Sequence, residues 1–564
     1  MKKIHQKTFN NNKYCHSYFL DKCAAFSIDC FTHNDCGFIK KWSFSFDDSY
    51  YTGEDIEEFI ALLSIIQLNY NIMAKSEKSG DMLIIYTKDL DKIYGFLHNY
   101  DKNIYIFEDY YFIFNNVFQF RDITKFFNKI ENEEILDKGA QLFNEVFIPN
   151  NKFFLTPTQY VLEKIKTNKD NDLAKEIYPK NEQAYNYLLK SYFGGLCVCK
   201  YPTVCIDTKL TDQYDRDSAY IFELMCQKHL CEPLKKVDPK GIDYYIDFEY
   251  EYYALMTINI TFSKISNDID LYKDYNGIKL KDTDKQYTLI INNTDFKVLE
   301  QLAEIKSYEC LELYVGKKDY LPKYILDVVY DEYIKKTAYK KSKNPNLLVQ
   351  KRLVNSIYGA MVKKIKHFNT EKDKAFLTPY WGTLIASYAR YNLIKAAKQV
   401  EKWIYSDTDS IYALHNDANA TIYMHINEEL RQKTYIMCQE LGYDFNELKD
   451  LGTFQYKNTY KKFQANCKKQ YMTTDINDKF EVVASGCTGE NDEFAYNFYE
   501  DDYGVMHSCI NMGTKKYGHI SDEIAEAIID GKTYRSNGFY YETESNSQKY
   551  FELTSYREKM FKRS

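Results

Sequence analysis

The chain has 564 residues, 45% hydrophobic and 27% charged, with only 9 Pro and 21 Gly; at ~100–200 residues per domain this is room for several domains, and the composition excludes disordered and fibrous classes. Net charge is −7, so whole-chain electrostatics give no support to nucleic-acid binding, and any polyanion must be met by local basic patches. The 14 Cys include no C-x-x-C pair, and the series Cys15, Cys23, Cys30, Cys36 is irregular, which argues against a zinc site and for scattered, reduced thiols.

The N-terminal MKKIHQK is basic but runs into polar NNNKYCHS, so no signal peptide is expected. The longest apolar run, Phe59 to Leu68, is about half of the ~20 residues a spanning helix needs, and a soluble, cytoplasmic protein without a membrane partner is expected. Over the first ~180 residues, short apolar runs (Ala24 to Ile28, Met82 to Tyr86, Ile104 to Phe107) alternate with helical stretches such as Asp55 to Leu68. This pattern predicts a mixed α/β domain.

Asp212 to Met225 (DQYDRDSAYIFELM) reads as a short extended piece entering an amphipathic helix, with Asp215 at the changeover. A carboxylate at a strand end, beside free backbone groups, can hold a hard divalent ion. The alternative is a helix N-cap, for which Asp217 or Ser218 would serve as well. Two basic patches follow: Tyr333 to Arg352 holds six Lys and one Arg with no acid, and Gly452 to Thr474 holds five Lys with none. Alone, each reads as solvated surface. Within the first, Lys351-Arg-Leu-Val-Asn-Ser-Ile-Tyr-Gly359 places Lys351, Asn355 and Tyr358 on one helix face, because i, i+4 and i+7 align. A cation suited to a triphosphate and an aromatic plane suited to a base would face the same way; a half-buried helix with a glycine stop is the plainer reading.

Trp403 to Leu414 (WIYSDTDSIYAL) has β-prone flanks around a polar centre, predicting a hairpin with its turn at Ser406 to Asp409. Asp407 and Asp409 crowd like charges at its tip, which is costly unless a cation sits between them. Turn chemistry alone also explains a bare D-x-D. The tail after about 488 is polar and Tyr-rich and shows no assignable pattern.

Taken in order, D-x-x-S-x-Y at Asp215, K-x-x-x-N-S-x-Y-G at Lys351 and Y-x-D-T-D-S at Tyr405 resemble the three polymerase motifs of the family B DNA polymerases. More narrowly, the chain is similar to the protein-primed branch of small phages and linear plasmids. Tyr192-Phe-Gly194-Gly195 resembles its Y-x-G-G element, Lys469-Gln-Tyr471 its K-x-Y motif, and Thr378-Pro-Tyr-Trp-Gly382 with Arg390 the segment after its fingers. The 136 residues from Asp215 to Lys351 leave room for its terminal-protein insertion. A second K-x-Y, Lys433-Thr-Tyr435, lies in a helical run and is set aside as a decoy.

The resemblance implies a right-hand polymerase with an N-terminal ribonuclease H-like 3′–5′ exonuclease-type domain. Its implied parts are an exonuclease-like domain over 1–188, palm over 189–226 and 366–487, an insertion over 227–326, fingers over 327–365, and thumb with tail over 488–564. It implies that Asp215 and Asp409 hold two Mg²⁺ ions (Mn²⁺ can substitute), with Asp407 helping. Tyr220 would lie under the deoxyribose, Lys351 with Lys340 or Lys341 would neutralise the triphosphate, and Asn355 and Tyr358 would line the base-pair pocket. Tyr192, Gly194, Gly195, Arg390, Lys469 and Tyr471 would contact DNA. The implied partners are template-primer DNA, dNTPs, a terminal protein primer and a processivity or single-strand-binding factor, in the host cytoplasm if the gene is viral.

Departures from the pattern matter equally. Ala219 and Ile221 stand where the family has Leu and Pro, and only 18 residues separate Gly359 from Thr378, so weaker processivity or strand displacement is expected. The exonuclease motifs are less faithful. Asp29-Cys-Phe31 replaces D-x-E, Thr87 replaces an Asn in the segment that keeps Asp91, and Tyr178 with Glu182 offers Glu for Asp. A phenyl ring cannot replace a metal ligand, which predicts a degraded exonuclease with weak or absent proofreading. Alternatives are an active exonuclease with rearranged ligands, a nuclease with a secondary polymerase module, an RNA-copying enzyme, and a nucleic-acid-binding replication protein without catalysis.

Overall fold

A computed structural model of the chain describes residues 3–10, 13–33, 36–47, 49–70, 72, 79–88, 90, 93–94, 97, 105–107, 111–115, 117–127, 130, 134–142, 156–200, 206–207, 209–266, 269, 271–344, 347–363, 368–373, 375–484, 534–536 and 539–541. It divides into two compact units: Met1–Tyr160 with Ser342–Arg352 and Tyr517–Ser564, and Val161–Lys341 with Leu353–Lys516.

In the first unit a mixed sheet runs in the order Ser49–Gly53, Cys36–Phe46, Lys13–His33, Ser79–Thr87, Phe118–Asp122, Tyr111–Phe114, Tyr105–Phe107, with Lys3–Asn10 paired to Lys13–His33. The first three strands are antiparallel; Ser79–Thr87 runs parallel to Lys13–His33, and Phe118–Asp122 parallel to Ser79–Thr87. A parallel neighbour needs a crossover connection, and helix Ile56–Asn69 lies in one. Asp55 starts that helix by accepting from the Glu57 N–H at 2.9 Å. Its Phe59, Leu63 and Ile66, at i, i+4 and i+7, are buried in the core formed by Phe26, Trp42, Phe44 and Phe120. Phe26 and Phe59 stack at 4.0 Å between ring centroids, and each such side chain contributes ~1.5–3 kcal/mol by burial.

In the second unit a seven-stranded sheet has the order Phe480–Ala484, Gln470–Asp475, Phe454–Cys467, Thr211–Arg216, Ser410–Leu414, Trp403–Asp407, Cys197–Cys199. Every pairing is antiparallel. Part of its core is tyrosine: Tyr405, Tyr412 and Tyr460 pack with Phe463, Ile404 and Ala465. Helices Ala219–Cys226 and Pro379–Gln399 bury most of their length. A second antiparallel sheet, His229–Leu230, Ala303–Asp319, Tyr252–Ile265 and Gln286–Asn292, with Lys235–Val237 beside Ala303–Asp319, occupies much of the interval between Asp215 and Lys351.

The first unit gives way to the second after Tyr160, so residues 161–188, assigned by sequence to the N-terminal domain, belong to the second unit. The segment 327–365 is also divided, because Ser342–Arg352 groups with the first unit. Of the tail after 488, only Tyr534–Ser536 and Phe539–Tyr541 are described, as a hairpin. Among the described residues no helix is long and apolar enough to cross a membrane.

Candidate active site

Asp215 is a strand residue within Thr211–Arg216, three positions before the helix N-cap Ser218, so the capping alternative falls. It pairs with Ser410 on one side and Gln455 on the other. Asp407 pairs with the same Ser410 and, on its far side, with Cys197. Residues directly opposite on neighbouring strands share a sheet face. Asp215 and Asp407 therefore flank Ser410 on one face, two strand spacings of ~4.8 Å apart. The backbone closes the group further: the Arg216 N–H donates to the Asp409 carbonyl at 2.9 Å.

The hairpin turn is Thr408-Asp409, closed by the Asp407–Ser410 pair, within the stretch Ser406 to Asp409 marked by the sequence. Thr408 has φ 63°, a left-handed conformation that a β-branched residue adopts only at a cost of ~1–3 kcal/mol. Several bonds hold it there. The Thr408 N–H donates to Leu196 O at 2.8 Å and the Asp409 N–H to Asp407 O at 2.6 Å. Thr408 Oγ1 donates to Asp407 Oδ1 at 2.8 Å, and Ser410 Oγ to Asp407 O at 3.1 Å. Strain of this kind, fixed by its surroundings, sets where the two acids point.

Gly195 packs against this turn: a Cβ there would lie 2.9 Å from Thr408 Cγ2 and 3.2 Å from the Tyr220 hydroxyl. Tyr220 lies 4.5 Å from Tyr358 between ring centroids, and the Tyr358 and Tyr192 hydroxyls are 3.0 Å apart. Burial pushes the Tyr220 hydroxyl up to about 12 and that of Tyr358 higher still, so both remain protonated donors.

Arg390 is a correction to the sequence reading. Expected at DNA, its side chain is wholly buried and forms a two-pronged ion pair with Asp295, Nε to Oδ1 at 2.9 Å and Nη2 to Oδ2 at 2.8 Å. Its Nη1 donates to the carbonyls of Phe193 and Gly194, the latter at 2.8 Å. A guanidinium enclosed in this way cannot meet a phosphate; it fixes the Gly194-Gly195 segment. Asp295 also accepts from Tyr272 and Ser387, each at 2.7 Å.

Cations face the acids. Lys457 Nζ lies 3.6 Å from Asp215 Oδ2, and Lys469 Nζ 3.5 Å from Asp407 Oδ1. Tyr471 stands beside Lys469 in the same cleft, its hydroxyl 3.0 Å from that of Tyr412. Lys336 donates to Asp217 Oδ1 at 3.1 Å and to Ser218 Oγ. Burial alone would raise the Asp217 carboxyl, but the charges of Lys336 and Lys340 outweigh it and hold it below the ordinary carboxylate range. Lys340 and Lys341 are exposed at the end of helix Lys323–Lys341. On helix Leu347–Met361, Lys351 and Asn355 are exposed and Tyr358 is half-buried; Lys351 belongs to the first unit and the other two to the second. The decoy Lys433 and Tyr435 lie on the 25-residue helix Asp417–Leu441.

Asp215, Asp407 and Asp409 line one open cleft of about 620 Å³ with Lys457, Lys469 and Tyr471. Among the described residues, no three His, Cys, Asp or Glu side chains are grouped closely enough to hold a metal ion. The exonuclease-like residues that are described fall in both units. Asp29 is exposed opposite Lys41, just before a bulge, in the first unit. Tyr178 is buried against Phe368, and Glu182 is exposed at the start of helix Glu182–Lys190, both in the second unit. Asp91 lies outside the described residues. Sequence reasoning missed Lys457, Lys336 and Asp295; the two lysines sat in basic patches it had noted, while Asp295 gave no signal.

No protein-family model and no curated protein matches the chain. Solved structures do. Phi29 DNA polymerase complexed with primer-template DNA matches with a TM-score of 0.58 and 15% identity, over 83% of this chain and 92% of that one. The same polymerase complexed with single-stranded DNA gives 0.58 and 13%, over 86% and 94%. Its ternary complex with primer-template DNA and incoming nucleotide gives 0.57 and 14%, over the same shares. The chain has the fold of phi29 DNA polymerase. The likeness to phi29 DNA polymerase extends over both units, since the matched share exceeds either alone.

Proposed function

We propose that the protein is a template-directed DNA polymerase that adds dNTPs to a 3′-hydroxyl, with the seven-stranded sheet as its palm. One observation carries this reading: Asp215 and the Asp407/Asp409 turn, nearly 200 residues apart in sequence, are brought into adjacent register at Ser410 within a fold shared with phi29 DNA polymerase. The donor set is carboxylate oxygen alone, which suits hard Mg²⁺ or Mn²⁺, and two ammonium groups already stand beside the acids. The three carboxylates do not stand as a ready three-ligand cluster; drawn together by a cation, Asp215 and Asp409, with Asp407, would hold two such ions, which when bound supply charge neutralisation for an in-line displacement at phosphorus.

The remaining roles belong to the chain itself. Tyr220, walled by Tyr358 and Gly195, would pack under the deoxyribose and leave no room for a 2′-hydroxyl. Lys340, Lys341 and Lys351 would act as point charges on the triphosphate, and Asn355 with Tyr358 would line the base-pair pocket. Lys469 and Tyr471 would grip the primer terminus, and Tyr192 with the Gly194-Gly195 segment would track the template. The mixed sheet of the first unit, an antiparallel meander extended by parallel strands, supports a ribonuclease H-like domain whose exonuclease ligands are degraded. Protein priming is supported by the Y-x-G-G and K-x-Y elements and by the second antiparallel sheet between Asp215 and Lys351.

Primer extension with dNTPs and rNTPs on DNA and RNA templates tests the reading. Incorporation of dNTPs on DNA, lost in Asp409→Ala while template-primer binding persists, is expected; an Asp409→Ala protein that still extends primers would refute it. Incubation with labelled dATP, template and neighbouring gene products tests priming, the expected product being a protein covalently labelled at a hydroxyl.

A further inference from the structure

We propose that Lys457 is a resident counter-cation of the acid site, occupying Asp215 in the metal-free protein and withdrawing when a divalent ion binds. The inference rests on the polymerase reading but assigns a residue that none of its motifs contains.

Two observations carry it. The first is the ion pair, Lys457 Nζ to Asp215 Oδ2 at 3.6 Å, with side chains 39% and 31% exposed; water is at hand, so the ammonium can leave without stranding a buried charge. The second is the backbone. Strand Phe454–Cys467 pairs Tyr456 with Tyr214 and Asn458 with Gln213, and the register shifts there. Lys457 is therefore the unpaired residue of a β-bulge, a device that re-aims one side chain out of the regular alternation. A regular strand would not need this residue, and the bulge spends it on turning a cation toward the acid in the next strand. Lys469 stands at Asp407 in a comparable position, 3.5 Å away, but already has a role at the primer terminus. Lys457 has none beyond the acid.

A monovalent ammonium on a flexible stem lowers the repulsion among Asp215, Asp407 and Asp409 while no metal is present. It also competes with the metal. Removing it should leave the site hungrier for cations by the modest factor that a half-exposed pair supports, roughly two- to fivefold.

The test is Mn²⁺ binding to the full chain without DNA or nucleotide, read by electron paramagnetic resonance of free Mn²⁺. Lys457→Met keeps the stem and removes the charge, and is expected to bind Mn²⁺ roughly two- to fivefold more tightly. Lys457→Arg should stay near wild type. Lys461→Met removes a cation of the same strand that pairs with Asp478 at 2.7 Å, and should leave affinity unchanged. Equal or weaker binding by Lys457→Met, or an equal gain from Lys461→Met, would overturn the proposal. Should Lys457→Met be destabilised, its melting deficit in EDTA is expected to shrink as Mn²⁺ is added, and a constant deficit would count against the idea. Asp215→Asn separates the two readings: if it binds Mn²⁺ as wild type does, the metal role of Asp215 fails, whatever Lys457 does.

Discussion

Gly195→Ala probes how tightly the acid turn is built. An alanine Cβ would sit 2.9 Å from Thr408 Cγ2, 3.0 Å from Thr408 Oγ1 and 3.2 Å from the Tyr220 hydroxyl, where carbon contacts prefer ~3.5–4.0 Å. Something must move by roughly 0.6–1 Å. Thr408 cannot simply rotate away, because its Oγ1 is bonded to Asp407 and its N–H to Leu196. The overpacking should cost ~1–3 kcal/mol of stability, and a displacement near 1 Å at reacting groups can cost ~10²-fold in rate. Single-turnover incorporation by Gly195→Ala, read at saturating primer-template, is therefore expected to fall by about 10- to 100-fold. Gly194→Ala is the matched control: its Cβ meets nothing within 4 Å, and neither glycine has a left-handed φ, so the difference is one of space alone. A Gly195→Ala protein as fast as wild type, or a Gly194→Ala protein as slow as Gly195→Ala, would refute the reasoning.

Arg390→Met should leave Asp295 as an uncompensated buried charge and cost ~3–5 kcal/mol in urea unfolding; adding Asp295→Asn to it should recover part of that loss. His229 is fully buried, and burial pushes its imidazole down to about 3 from an ordinary 6.5. Above 6.5 the folded and unfolded chains are both neutral there; between 6.5 and about 3 only the unfolded chain takes up the proton, so stability falls as pH falls, by at most ~1.4 kcal/mol per pH unit. The urea midpoint of His229→Gln should accordingly drop less than that of wild type between pH 7 and pH 5. For the first unit, little Mg²⁺-dependent removal of mismatched 3′ ends is expected, and Asp29→Ala should not change it; efficient removal abolished by Asp29→Ala would show a working exonuclease.

Local pattern carried much of this protein. Alternation and turn residues marked the strands at Ala24 to Ile28 and Met82 to Tyr86, which lie inside observed strands, and the hairpin at Trp403 to Leu414. Helical spacing marked Asp55 to Leu68 and Lys351 to Gly359. The acids and the aromatic residues near them were legible because each stands in a short contiguous motif. Tyrosine abundance was not legible as structure: Tyr405 and Tyr412 are core residues of the sheet, a placement that composition cannot reveal.

What the sequence determined by itself was therefore chemistry within reach of a few residues: which side chains could hold a cation, and which strands and helices would carry them. Tertiary structure alone decided partnership across distance. Asp295 and Arg390, 95 positions apart, are each unremarkable until folding buries them together, because an isolated charge deprived of water must find an opposite one. Lys457 likewise was one lysine of a basic run until a one-residue slip in strand register turned it toward Asp215. Such slips depend on the neighbouring strand, and no local spacing encodes them.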